Sequence, residues 1–178
     1  RIARGEGRAT LAITEERGSD EPGALELTAC RSGDGWELTG RKPFVPDVEA
    51  ADLVVVVART GAEGLGLFVL PSDARGLSVI PMRSMDLLRP LSTLELGGVI
   101  LGSSALLGAA EDAWSSVERV LDRARVMLCA EMVGGAEKCL EDSVAYAKER
   151  VQFGKPIGVN QAIKHKCADM LFEVESAK

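Results

Sequence analysis

The sequence predicts an α+β protein, with an antiparallel β-barrel or sandwich-like domain followed by helices of an up-down α-helical bundle. Three observations carry that expectation. Short β-prone segments separated by turn residues fill the amino-terminal half, proline is absent from 109 to 150 where helix formers dominate, and a Gly- and Pro-containing break at 153–158 precedes a second helical run. The chain is accordingly divided into a β-domain over 1–104 and the start of a helical-bundle domain over 105–178.

In chain order the β-prone segments are 8–14 (RATLAIT), 25–30 (LELTAC), 35–39 (GWELT), 52–58 (DLVVVVA), 65–70 (LGLFVL) and 77–81 (LSVIP). Their β-branched and aromatic side chains pack well on a pleated surface. Between them lie Gly18-Ser19-Asp20, Ser32-Gly33-Asp34-Gly35, Gly61-Ala62-Glu63-Gly64 and Pro71-Ser72-Asp73. These residues reach left-handed backbone conformations or close turns with their own side chains. Gly33-Asp34-Gly35 reads as a hairpin.

Beyond 109, Trp114, Val117, Leu121, Ala124 and Leu128 recur at helical spacing, which predicts one long helix or two nearly collinear ones. The polar face almost disappears over 126–139, the signature of a helix buried on most sides within a bundle. Gly134-Gly135 cost such a helix roughly 1 kcal/mol each relative to Ala, so close approach of a neighbouring helix or subunit is expected there. The second helical run, 160–178, carries Ile163, Cys167, Met170, Leu171 and Val174 as an apolar stripe, and is expected to continue past Lys178.

Composition narrows the function. The 178 residues are 46% hydrophobic and 27% charged, as in ordinary soluble domains, and 21 Lys and Arg against 27 Asp and Glu leave a net charge of −6. No basic run tracks a phosphate backbone, so nucleic acid is not expected as a partner. The longest aliphatic run, 53–58, is far short of the roughly 20 residues that span a bilayer, so no membrane insertion is expected and a cytoplasmic location is. Cys30, Cys129, Cys139 and Cys167 form no C-x-x-C pair and His165 is the sole histidine, which argues against a metal site and for reduced thiols. The three helical cysteines are read as small buried hydrophobes.

Two motifs carry chemistry. AKERVQFGKPIGVNQ at 147–161 places Arg150, Gln152, Phe153, Gly154 and Gln161 in a pattern where a helix ends Arg-x-(Gln/Thr)-Phe-Gly and a Gln opens the next. LAITEERGSD at 11–20 is similar to a T-E-P-x-x-G-S-D loop with one residue deleted and Glu16 in place of the Pro. GWELTGRKPFVPDVEAADLVVVVART at 35–60 is similar to the stretch that follows that loop, G-x-x-L-x-G-x-K, an aromatic residue, then A-D and a β-branched run. With these motifs in the family's order along nearly the whole chain, the sequence resembles the acyl-CoA dehydrogenases, as a piece holding the middle β-domain and the first helices of the C-terminal bundle.

The resemblance implies an FAD-dependent flavoprotein oxidoreductase of lipid metabolism. A carboxylate removes the α-proton of an acyl-CoA thioester, the β-hydride passes to flavin N5, and an electron-transfer flavoprotein takes the electrons. FAD needs anion donors at its pyrophosphate and hydrogen bonds at its ring. Arg150 is implied as a planar donor fork for phosphate, worth about 1.5–3 kcal/mol per charge-assisted bond. With Gln152, Phe153 and Gln161 it is implied to reach the FAD bound mainly by a neighbouring subunit, so the cofactor site requires a homo- or hetero-oligomer, dimer or tetramer. Leu11, Ile13, Thr14, Gly18, Ser19, Phe44 and Val45 match flavin-facing positions. Ser19 also matches a contact to the CoA pyrophosphate, and Asp122 and Arg125 fall on the CoA-contacting stretch of the long helix.

Bland readings stand beside these. Arg150 alone could serve as a helix-end charge, Phe44 could be plain core, and Asp122 with Arg125 a solvated helix face. Glu15 and Glu16 are adjacent loop acids and are assigned no general acid–base role. Two departures bear on activity. Pro46 stands where the family commonly has a flavin-bonding Thr, and it offers neither hydroxyl nor N–H. Ala124 stands where some members carry the catalytic glutamate, so no catalytic residue is assigned and the base is expected after Lys178. A non-catalytic partner subunit, or an acyl-CoA oxidase, are the alternative functions.

Overall fold

The computed structural model describes residues 2–18, 21–62, 64–110 and 112–178. The chain divides into two compact units, Arg1–Val117 and Glu118–Lys178.

In the first unit β1 (Ala9–Ala12), β2 (Thr28–Ser32), β3 (Gly35–Pro46), β4 (Leu53–Arg59), β5 (Leu65–Pro71), β6 (Leu77–Pro81), β7 (Leu91–Leu101) and β8 (Leu106–Leu107) form one sheet. Its order is β6-β7-β3-β2-β4-β5-β8, with β1 parallel to β4, Ala9 opposite Leu53 through Ala12 opposite Val56. The other pairs are antiparallel except for one parallel bridge, Thr28 with Arg59. β3 and β5 are not neighbours in the sheet, yet the Trp36 and Phe68 rings meet edge-on at 5.2 Å. The sheet therefore curls over its own apolar face, where Leu38, Val54, Val56, Phe68, Leu70 and Leu94 are fully buried. Its ends, β6 and β8, do not pair with each other among the described residues, so the architecture is sandwich-like and not a closed barrel.

The expected hairpin is present: Ser32 pairs with Gly35 across Gly33-Asp34, with Gly33 left-handed at φ 56°. Three features differ from the sequence-based expectation. First, β2 begins at Thr28, not Leu25, because the N–H groups of Glu26 and Leu27 donate to the Glu15 carboxylate at 3.1 and 3.2 Å. Second, β3 continues to Pro46, and β7, to which no strand was assigned, pairs with both β3 and β6. Gly97-Gly98 hides it, since Gly98 turns left-handed at φ 71° and breaks the alternation that marks a strand. Third, the first unit runs past residue 104. Leu106 and Leu107 pair with Phe68 and Leu67, the Thr60 hydroxyl donates to the Ala110 carbonyl, and Ala113 N–H donates to Leu65 O at 3.2 Å.

A single unbroken helix, α1 (Trp114–Glu149), carries the chain from the first unit into the second, and α2 (Gln161–Ala177) follows. Between them β9 (Val151–Gln152) and β10 (Lys155–Pro156) form a two-stranded hairpin. The helices run antiparallel within the second unit. At one end a Cβ on Gly158 would lie 2.8 Å from the Ala147 carbonyl oxygen, and at the other Lys178 Nζ meets Glu137 Oε1 at 2.8 Å. Leu140, Ala147 and Val174 are the buried apolar residues between. The expected burial of 126–139 is not met within this chain: Val126, Met127 and Met132 are 66%, 71% and 72% exposed, because α2 covers only one side of α1. Nothing stands within 4 Å of a Cβ placed on Gly134 or Gly135. Cys129 and Cys139 are likewise exposed rather than buried, and Cys167 is half-buried. Among the described residues no helix is long and apolar enough to cross a membrane, and no group of His, Cys, Asp and Glu has the makings of a metal site.

Candidate functional site

β1 delivers the first group of candidate residues. Leu11 is half-buried in the strand, Ile13 is buried just beyond it, and Thr14 is half-buried where the ladder has ended. The chain then turns, with Gly18 N–H donating to Glu15 O at 2.7 Å and Gly18 left-handed at φ 71°. Ser19 and Asp20 lie outside the described residues. Phe44 and Val45 come from the far end of β3, where the register against β7 shifts between Lys42 and Val45. Such a bulge re-aims side chains. Phe44 takes φ 58°, which is unusual for an aromatic residue, and is 44% exposed while Val45 is 1% exposed. Phe44 is therefore not plain core. Next to it the Thr10 hydroxyl donates to the Pro46 carbonyl at 2.6 Å, which ties β1 to the end of β3.

Beneath these residues lies a buried ion pair. Lys42 is 0% exposed and its ammonium pairs with Glu15, itself 4% exposed, while also donating to Ile13 O at 3.1 Å. Burial pushes the Lys42 ammonium below its ordinary value, and the Glu15 carboxylate pulls it back up. On the opposite face of β3, Arg41 reaches Glu16 Oε1 at 2.6 Å and Glu95 Oε1 at 3.0 Å. No role was assigned to Lys42, Arg41 or their partners from sequence. The signal was available, since position 42 continues the inward alternation of Trp36 and Leu38, where a lysine requires a partner.

The second unit presents another group. α1 ends at Glu149, Arg150 N–H donates to Tyr146 O and Ile157 N–H donates to Arg150 O, each at 2.8 Å. Gln152 and Lys155 then pair across a two-residue loop, Phe153-Gly154, with φ 51° and 78°. Two successive left-handed residues are the type I′ arrangement that suits a hairpin's twist, and the second is the glycine such turns favour. Phe153 is 98% exposed at the tip, and Arg150 and Gln152 are exposed beside it. The Arg150 guanidinium has no ion-pair partner among the described residues. Gln161 opens α2, exposed, its Nε2 3.4 Å from His165 Nε2. Asp122 and Arg125 pair with each other at 2.8 Å on exposed α1.

A curled, sandwich-like sheet followed by a helix pair with an Arg-x-Gln-Phe-Gly hairpin between the helices defines a chain of two joined domains, one β and one α. The sequence matches the acyl-CoA dehydrogenase middle domain over residues 10–97 and the acyl-CoA dehydrogenase C-terminal domain over residues 112–178. The chain belongs to the acyl-CoA dehydrogenase family. Acyl-CoA dehydrogenase FadE12 of Mycobacterium tuberculosis is 35% identical over 184 residues, which cover 99% of this chain and 47% of that protein. The caffeyl-CoA reductase-Etf complex subunit CarC of Acetobacterium woodii is 31% identical, covering 99% and 48%. A glutaryl-CoA dehydrogenase from Mycobacterium smegmatis, solved in complex with FADH2, superposes with a TM-score of 0.92 at 30% identity, covering 99% of this chain and 46% of that one. The chain spans about half the length of the curated relatives it matches.

Proposed function

We propose that the intact protein is an FAD-dependent enzyme that introduces an α,β double bond into an acyl-CoA thioester. The observation that carries this reading is the match to both family domains, with candidate flavin contacts displayed on each unit. FAD, when bound, supplies the acceptor for the β-hydride. The residues present fit it. Thr14 offers a hydroxyl beyond the end of β1, Phe44 and Leu11 offer apolar surface, and Arg150 offers a donor fork, without an ion-pair partner among the described residues, for a phosphate. Gln152, Phe153 and Gln161 are assigned to the same cofactor-binding role as Arg150, and Ile13, Gly18, Ser19 and Val45 to that of Thr14. Asp122 and Arg125 are assigned to the CoA moiety, for which they would exchange their mutual ion pair.

The α-proton would be taken by a carboxylate, a role assigned to no residue of this chain, since Ala124 offers none. Electron-transfer flavoprotein is the proposed acceptor, in keeping with a relative named as part of an Etf complex. A homo- or hetero-oligomer and a cytoplasmic location complete the proposal. Pro46 favours one competing reading, a subunit that assembles without catalysing. Its carbonyl is engaged by Thr10 and it has no N–H to give a flavin.

The intact protein is expected to be yellow, and Arg150→Ala to lower its FAD affinity roughly ten- to a hundredfold, about 1.5–3 kcal/mol, with unchanged far-ultraviolet dichroism. No flavin spectrum after reconstitution with excess FAD would remove the enzyme reading. FAD uptake without acyl-CoA-dependent bleaching would favour the assembly subunit, and oxygen consumption during turnover would favour an oxidase.

A further inference from the structure

Lys42 is among the largest of the fully buried side chains, and ordinary stability does not account for a charge there. A buried ion pair can commonly be replaced by apolar residues without loss, because desolvation of the charges offsets their attraction. What distinguishes this pair is what it holds. Its remaining hydrogen bonds go to main-chain groups: Ile13 O accepts from Lys42, while Glu26 and Leu27 donate to Glu15. Both segments, 13–15 and 25–27, lie outside any strand; Arg59 also holds the second, at Leu25 O and Leu27 O, while the pair ties the first to it and to β3. On the outer face Arg41 grips Glu16, the residue that replaces the proline of the T-E-P pattern. Consecutive acids 15 and 16 thus meet consecutive bases 42 and 41 through opposite faces of one strand. Thr14 sits between two anchored residues, its neighbour's carbonyl held on one side and its neighbour's carboxylate on the other.

We propose that Lys42, through Glu15 and with Arg41–Glu16 outside, is a positioning residue that fixes residues 13–18 in the conformation that receives the flavin. The proposal rests on the FAD reading above. At the position of the lost proline the outer pair takes over: where a ring would fix one dihedral angle, Arg41 ties Glu16 to β3, and the Lys42–Glu15 pair holds the neighbouring residue from the inner face.

The test is the double variant Lys42→Met with Glu15→Gln in the intact protein. It removes both charges while leaving an amide oxygen to accept from Glu26 and Leu27. Hydrogen exchange on the FAD-free protein is expected to show lost protection within residues 13–18 and unchanged protection in β3 and β4. FAD titration is expected to show an affinity at least about tenfold weaker, because an unfixed segment must be ordered on binding, and the visible dichroism of bound flavin is expected to change. A folded double variant with wild-type FAD affinity, visible dichroism and exchange at 13–18 would overturn the proposal while leaving the dehydrogenase reading intact. Wild-type protein that takes up no FAD would overturn both. Should the double variant not fold, Arg41→Gln on the exposed face carries the test, and wild-type values in all three measurements would overturn the proposal.

Discussion

The two units solve the burial problem differently. The sheet covers its own apolar face, with Leu38, Val54, Phe68 and Leu94 sealed between its curled halves, and buries even a charged pair. The helices bury Leu140, Ala147 and Val174 and leave Val126, Met127, Met132 and Phe172 in the open. A sheet that curls supplies both walls of a core from one continuous stretch of chain, whereas a helix shows only a stripe to each neighbour and needs several neighbours to cover it. The first unit is thus defined by its own contacts, and the second has surface to offer.

That contrast can be broken by substitution. Lys42→Met alone strands the Glu15 carboxylate in the core and is expected to cost about 3–5 kcal/mol in urea unfolding. Because burial lowers the Lys42 pKa below 10.5, the folded chain holds that proton less tightly than the unfolded one. Wild type should therefore gain stability relative to Lys42→Met as pH rises from the lowered pKa toward 10.5. A gap that narrows instead would show the pair to be governed by Glu15. Leu38→Ala should cost about 2–5 kcal/mol, whereas Met132→Ala on this chain should stay within about 0.5 kcal/mol; equal losses by chemical denaturation would abolish the distinction between the units. Gly154→Ala places a Cβ at φ 78° and should cost about 1–2 kcal/mol, read as fraying of the β9–β10 hairpin by hydrogen exchange with the sheet unaffected.

Legibility in the sequence divided along another line, between local and long-range determinants. Strands with unbroken β-branched runs, such as 52–58, and helices with clear periodicity were readable because local propensity and tertiary placement agree. β7 was not, because Gly97-Gly98 erases its alternation while its two flanking ladders, contributed by distant segments, hold it in place. The exposure of Phe44 was open for a similar reason: the left-handed bulge that turns it outward depends on a register shift against β7. At 153–158 the break between the helices was legible from Gly154, Pro156 and Gly158, but the hairpin that fills it was not, because each of its strands is only two residues long. The Lys42–Glu15 pair was missed because each partner looks unremarkable alone and 27 positions separate them.

The parallel pairing of β1 with β4 also has a consequence in time. Ala9 finds its partner at Leu53, and β3 finds β7 across an equally long stretch, so neither ladder can zip from a local turn as β2–β3 and β4–β5 can. Closing such distant pairs costs chain entropy before any contact rewards it. The hairpins close early, and β1 waits for β4. Residues 13–18, hung from β1, are among the last to settle, so a newly made chain forms its hairpins before this edge of the sheet takes form.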